Sequence, residues 1–210
     1  MPRELKICHE LFEFDAGVRL HFPVFCGVDE AGRGPLAGDV YAAAVILPPD
    51  IEIAGLNDSK KLSEKRREEL APVIQEKALA YCIASATVEE IERINILQAA
   101  LLAMHRAVEG LSVVPDYVLT DGNQPPVVPM PVGTLVQGDA KSASIAAASV
   151  LAKTARDAAL RQLDEEYPEY GFAKHKGYGT KAHYAALDAY GPCPAHRPSF
   201  LKKYYEKRGF

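Results

Sequence analysis

Two acids side by side at the end of an apolar run are the first residues in this chain that could do chemistry. Val24-Phe25-Cys26-Gly27-Val28 leads into Asp29-Glu30, and a loop rich in glycine follows, Ala31-Gly32-Arg33-Gly34-Pro35-Leu36-Ala37-Gly38. The apolar run reads as a buried strand. Desolvating an unpaired carboxylate is costly, so two of them at a strand end call for a cation. Asp121 stands at the end of a second apolar run, Asp116 to Thr120, and Gly138-Asp139 follows a third, Thr134 to Gln137. If the strand ends converge, as they do at the sites of open α/β sheets, the four carboxylates meet. Such a cluster repels itself unless it holds hard divalent cations, and an oxygen-only donor set favours Mg²⁺ or Mn²⁺. Two ions about 3.5–4 Å apart can clamp a phosphodiester, one activating water and the other stabilising the leaving oxygen. Each acid alone has a plainer reading, since Asp121-Gly122-Asn123 is a good turn and Asp139 could cap a helix. Taken together, four acids with apolar strands before three of the positions favour a metal-dependent nuclease site.

A scaffold has to carry these acids to one place. Gly38 to Leu47 reads as a second strand, stopped by Pro48-Pro49, and its tight connection to the first implies an antiparallel pair. Leu56 to Leu62 is a polar loop. Ser63 looks like the cap of a helix running to about Lys77, which Pro72 should kink or split. Tyr81 to Val88 is the third strand. Glu89 to Gly110 is helical, with Ile91, Ile94, Leu97, Leu101 and Met104 on one face. Ser142 caps a long helix rich in Ala and Ser that reaches about Tyr167, and helical pieces near Thr180–Tyr190 and Ser199–Lys207 complete the chain. The expectation is an α/β fold, a mixed five-stranded sheet flanked by helices. Residues 1–23 form a loosely attached arm or short helix, 24–170 the catalytic domain, and 171–210 a small basic helical extension.

Composition narrows the classes. At 48% hydrophobic and 25% charged residues the 210-residue chain is an ordinary globular protein. Its longest apolar run, Tyr41 to Leu47, is too short to span a bilayer, and charges throughout the first 25 residues leave no signal peptide. No membrane partner and a cytoplasmic location are expected. Cys8, Cys26, Cys82 and Cys193 are scattered, with no C-x-x-C pair and no evident histidine partner, so reduced thiols are expected rather than zinc ligands. Net charge is −4, but residues 171–210 hold eight Lys/Arg against two Asp/Glu and the remainder sixteen against twenty-six. A basic quarter on an acidic body suggests contact with a polyanion beside a site that collects cations. Lys174, His175, Lys176, Tyr178, Lys181 and His183 interleave cations and aromatics as a duplex groove would require.

Other patterns are set aside. Gly32-x-Gly34-x-x-x-Gly38 is followed by a strand where a dinucleotide fingerprint needs a helix. Asp139-Ala140 intrudes where a Walker loop needs lysine after glycine. Asp157 and Arg161 read as a surface helix pair, and His105 and His196 as structural histidines.

Five ordered motifs carry a family resemblance. They are Asp29-Glu30-Ala31-Gly32-Arg33-Gly34-Pro35-Leu36-Ala37-Gly38, Asn57-Asp58-Ser59-Lys60-Lys61-Leu62, Asp121-Gly122-Asn123, Gly138-Asp139-Ala140-Lys141-Ser142 with Ala146 to Lys153 after it, and Lys176-Gly177-Tyr178-Gly179-Thr180. Over residues 24–198 the chain resembles ribonuclease HII, the bacterial type 2 ribonuclease H. The resemblance implies a ribonuclease H-like fold and endonucleolytic cleavage of RNA in RNA·DNA hybrids. It also implies cutting 5′ of ribonucleotides embedded in duplex DNA, leaving 3′-hydroxyl and 5′-phosphate ends. It makes Asp29, Glu30, Asp121 and Asp139 the ligands of two Mg²⁺ or Mn²⁺ ions. It makes Gly32, Arg33 and Gly34 readers of the 2′-hydroxyl, the group that separates RNA from DNA. Tyr178 would stack on the deoxyribose at the junction, and Lys60, with Lys61 beside it, would contact phosphate. A monomer is expected. Leu201-x-x-Tyr204-Tyr205 is a faint match to a sliding-clamp anchor, and packing of a final helix explains it better. Two rivals are a DNA nuclease or integrase on the same fold, and a non-catalytic nucleic-acid-binding module.

Overall fold

Alternation along one strand sets the layers of the molecule. In the computed structural model, which describes residues 6–206 and Arg208, strand β2 (Val40–Ile46) is flanked by β1 (Phe25–Ala31) and β3 (Ala80–Ala86). Ala42, Ala44 and Ile46 pack toward helix α3 (Val88–Glu109), while Ala43 and Val45 pack toward helices α2 (Glu64–Lys77) and α4 (Ala143–Glu166). A strand covered on both faces should be apolar at every position, and the run of alanines, valine and isoleucine is what that burial requires. The remaining strands are β4 (Tyr117–Asp121) and β5 (Val132–Leu135), and the sheet order is β3-β2-β1-β4-β5. β1 pairs antiparallel with β2 and parallel with β4, so the expected mixed five-stranded sheet is present.

One close approach aligns the two ends of the site. The long helix α4 lies across β1, and a side-chain carbon on Gly27 would come within 2.2 Å of the Ser144 backbone. The small residues that open α4 are buried from Ala143 to Ala152, so the helix sits directly on the sheet. Its N-terminus is tied down by helix α1 (His9–Arg19). There the buried Asp15 accepts from the Ser142 hydroxyl at 2.6 Å, the Ser144 hydroxyl at 2.7 Å and the Ser144 N–H at 2.9 Å. Of the two expectations for this segment, a loosely attached arm or a short helix, the structure has the short helix, and that helix is packed against α4. Its single buried acid is indistinguishable, along the chain, from the exposed acids around it.

Two helices differ from expectation. α2 continues through Pro72, held by the buried Leu70, Ala71 and Ile74 around it. α3 is interrupted at Asn95, whose φ of 68° leaves the helical region. The Asn95 side chain accepts from the N–H groups of Leu97 and Gln98 and so caps the part that follows. The chain ends in α5 (Phe172–His175), α6 (Lys181–Tyr190) and α7 (Pro198–Glu206). These pack with Leu160 of α4 and with Leu36 and Ala37 of the glycine loop. Leu201 and Tyr204 are buried in that cluster, so the faint clamp-anchor pattern is core packing. No helix among the described residues is long and apolar enough to cross a membrane.

Candidate active site

Register brings the acids together. Val28 pairs with Thr120 across the parallel β1–β4 ladder, which puts Asp29 and Asp121 at neighbouring strand ends. Asp139 stands on a 3₁₀ turn, Gly138–Ala140, after β5 rather than directly at its end. That turn leads through Ser142 into α4, and the Gly138 N–H donates to Asp121 at 2.6 Å. As a result Asp29, Asp121 and Asp139 each present a carboxylate oxygen within 4.8 Å of the others. Glu30 adjoins them but turns its carboxylate to Arg33, at 3.2 Å.

The electrostatics of this cluster are those of a cation site. Burial pushes the Asp29 carboxyl well above its ordinary range, and the charges of Glu30 and Asp121 push it further. Glu30 is raised by burial, with Asp121 adding to the effect and Arg33 opposing it. Asp121 is raised by burial and by Asp139. Three carboxyls shifted toward protonation are mutually repelling and underhydrated, and a divalent ion relieves both. The donor set contains oxygen only, which fits Mg²⁺ or Mn²⁺. Lys60 already answers part of the charge, its ammonium lying 2.7 Å from Asp139 and raised in pKa by that bond.

The glycine loop is braced from beneath by two buried arginines. Gly32 has a φ of 105°, and a side chain there would strike the Arg156 guanidinium, so only glycine fits. Arg197 donates to the carbonyls of Gly32 at 2.8 Å, Pro35 at 2.9 Å and Gly38 at 2.8 Å. Arg156 donates to Ala37 and to Lys176, joining the loop to the turn that carries Tyr178. Arg33 and Tyr178 are left exposed at the surface, and the Tyr178 ring passes 3.6 Å from the side-chain position of Gly34.

Several expectations about the basic segment change. His183 is fully buried, and Lys176 is paired with Glu64 at 2.8 Å, so neither is free to face a duplex. Lys174, Tyr178 and Lys181 are exposed. Asp157 is a buried acid held by Arg67 at 3.2 Å and Lys153 at 2.7 Å, not a surface partner of Arg161. Arg161 bonds Glu64 and Glu68 instead. Cys193 does have a histidine partner, with its Sγ 3.2 Å from Nδ1 of His196. Arg156, Arg197 and Asp15 were not identifiable in advance. Each contacts backbone or hydroxyl groups far away along the chain, which no local spacing reveals.

A mixed sheet with two buried carboxylates and a half-buried third beside parallel strand ends is an arrangement suited to a carboxylate-centred nuclease. The chain belongs to the ribonuclease HII family, whose model, described as Ribonuclease HII, matches residues 26–205. A Ribonuclease HII of Dechloromonas aromatica is 61% identical over 175 residues, covering 83% of this chain and 89% of that protein. One of Laribacter hongkongensis is 63% identical over 177 residues, with the same two coverages. Among solved structures, the ribonuclease H2 of Pyrococcus horikoshii OT3 matches with a TM-score of 0.70 at 25% identity, covering 88% of this chain and 98% of that one. The fold is shared with Bst-RNase HIII, solved with Mn²⁺, at a TM-score of 0.63 and 19% identity over 80% of this chain and 63% of that one. The protein is thus a nuclease of the hydrolase class, and the non-catalytic module is set aside.

Proposed function

We propose that this enzyme hydrolyses the RNA strand of RNA·DNA hybrids and cuts duplex DNA 5′ of embedded ribonucleotides, leaving 3′-hydroxyl and 5′-phosphate ends. The observation that carries the reading is the proximity of Asp29, Asp121 and Asp139, within 4.8 Å, beside a rigid glycine loop. Those three acids and Glu30 would hold divalent ions, which would supply an activated water and stabilise charge on the leaving oxygen. The chain's own groups then select and orient the substrate. Arg33 and the backbone N–H groups of Gly32 and Gly34 face the ribose and read its 2′-hydroxyl, a donor and acceptor that DNA lacks. Tyr178, beside Gly34, offers an aromatic face to the sugar that follows and favours deoxyribose there. Lys60, whose ammonium lies 2.7 Å from Asp139, would contact the phosphate.

The test is cleavage of a duplex carrying one ribonucleotide, with and without Mg²⁺, with the cut mapped to the nucleotide. A cut 5′ of the ribonucleotide that depends on the metal is expected, with the all-DNA duplex left intact. Equal cutting of the all-DNA duplex would favour the DNA nuclease or integrase reading instead.

A further inference from the structure

Tyr178 projects from a turn, and what holds that turn is a row of buried histidines. The Tyr178 carbonyl faces Nδ1 of His183 at 3.0 Å, Nε2 of His183 faces Nε2 of His196 at 3.0 Å, and the Cys193 N–H donates to Nδ1 of His196 at 3.0 Å. His183 is fully buried and His196 nearly so. His175, stacked on His183 with centroids 4.4 Å apart, bonds the turn from its other side, accepting from the Gly177 N–H at 3.2 Å.

The Tyr178 end of this row has a fixed role, which sets the protons along a neutral pair. A carbonyl accepts only, so His183 carries its proton on Nδ1 and presents a lone pair at Nε2. His196 must then donate from Nε2, which leaves its Nδ1 free to accept from the Cys193 N–H. The opposite direction would set a lone pair against the Tyr178 carbonyl. The Cys193 end does not decide it, because Nδ1 of His196 also lies 3.2 Å from the Cys193 carbonyl and 3.2 Å from its Sγ. Protonating His183 while His196 carries its proton on Nε2 also sets N–H against N–H. Burial agrees with a neutral pair, lowering His196 and pushing His183 down to about 4.

We propose that His183 and His196 form a neutral, one-directional relay that fixes the seat of Tyr178, and so act as positioning residues for recognition of the ribose–deoxyribose junction. This rests on the junction role given to Tyr178 above. The relay anchors the turn to the segment before α7, whose Arg197 also braces the glycine loop. Both sides of the junction are thereby read from one frame. With the relay broken, the ring has no fixed height above Gly34, and preference for deoxyribose after the ribonucleotide declines.

Amide side chains test this because they mimic one imidazole nitrogen at a time. An Asn amide nitrogen takes the place of Nδ1, and a Gln amide nitrogen takes the place of Nε2. The measurement is kcat/KM on a single-ribonucleotide duplex divided by kcat/KM on a uniform RNA·DNA hybrid, with thermal melting recorded for each variant. His183→Asn keeps the donor to the Tyr178 carbonyl but loses the bond to His196 and should lower the ratio only slightly, whereas His183→Gln should lower it about tenfold. At His196 the order inverts: His196→Gln keeps the Nε2 donor and holds the ratio, and His196→Asn lowers it. Adding Tyr178→Ala to His183→Gln should lower the ratio no further than Tyr178→Ala alone. The same amide preferred at both positions, ratios that follow melting temperature alone, or additive losses with Tyr178→Ala would overturn the relay. Failure of the wild-type enzyme to cut the single-ribonucleotide duplex would instead overturn the proposed function, which separates the two.

Discussion

Asp29 is the most deeply desolvated of the clustered acids proposed to hold the metal, and its environment makes a sharp prediction. It is buried and held toward protonation by desolvation and by two neighbouring acids. Replacing it by Asn removes one repelling charge while keeping the acceptor that receives the Glu30 N–H at 2.7 Å. Asp29→Asn should therefore take cleavage below detection while the melting temperature without metal stays level or rises. Residual cleavage near the wild-type rate, or a large fall in melting temperature, would contradict this. Divalent metal should raise the melting temperature of the wild type by more than that of the variant, because the variant has lost a ligand.

At the scale of elements, the site depends on how α4 meets β1 and on what secures its start. Gly27→Ala would drive a methyl group into the Ser144 and Ile145 backbone, which has no flexible end to yield. A loss of more than about 3 kcal/mol is expected in denaturant unfolding, against near-neutrality at an open glycine such as Gly17. Asp15→Ala would leave two hydroxyls and an N–H without their acceptor at the helix start, costing about 2–3 kcal/mol. Because that start follows the Asp139 turn directly, activity should fall along with stability. The elements themselves were largely readable in advance. Strand alternation, the Ser63 and Ser142 caps and the strand-end acids all lie in short windows. The unreadable parts were those decided by partners elsewhere: the unbroken α2, the interruption at Asn95 and the packing of α1.

Across the whole molecule, acid sensitivity distinguishes a buried neutral histidine from the carboxylates. His183 is depressed from 6.5 to about 4, so the unfolded chain binds its proton first as pH falls. Its contribution to stability is complete above about pH 6.5 and declines toward pH 4, with about 2 kcal/mol gone by pH 5. The raised carboxyls of Asp29, Glu30 and Asp121 act in the opposite direction, gaining stability as pH falls. The informative comparison is urea unfolding of wild type and His183→Asn at pH 7 and pH 5, where the wild type should lose about 2 kcal/mol more than the variant. Equal losses would contradict the buried neutral state.

The amino-acid sequence alone pointed to the class of chemistry, to candidate acids for it and to the strands along the chain that bear them. Those properties follow from side-chain type and from periodicities of two and of three to four residues, which act within one element. Tertiary structure alone decided that Asp139 reaches Asp29 from a turn, that Glu30 faces Arg33, and that Lys176 and His183 are structural instead of exposed. It also decided that Arg156 and Arg197 brace the glycine loop and that the histidine row holds the Tyr178 turn. Burial and pairing between distant segments are properties of the packed chain, and the same lysine or histidine is a ligand, a brace or a solvated charge according to what lies opposite it.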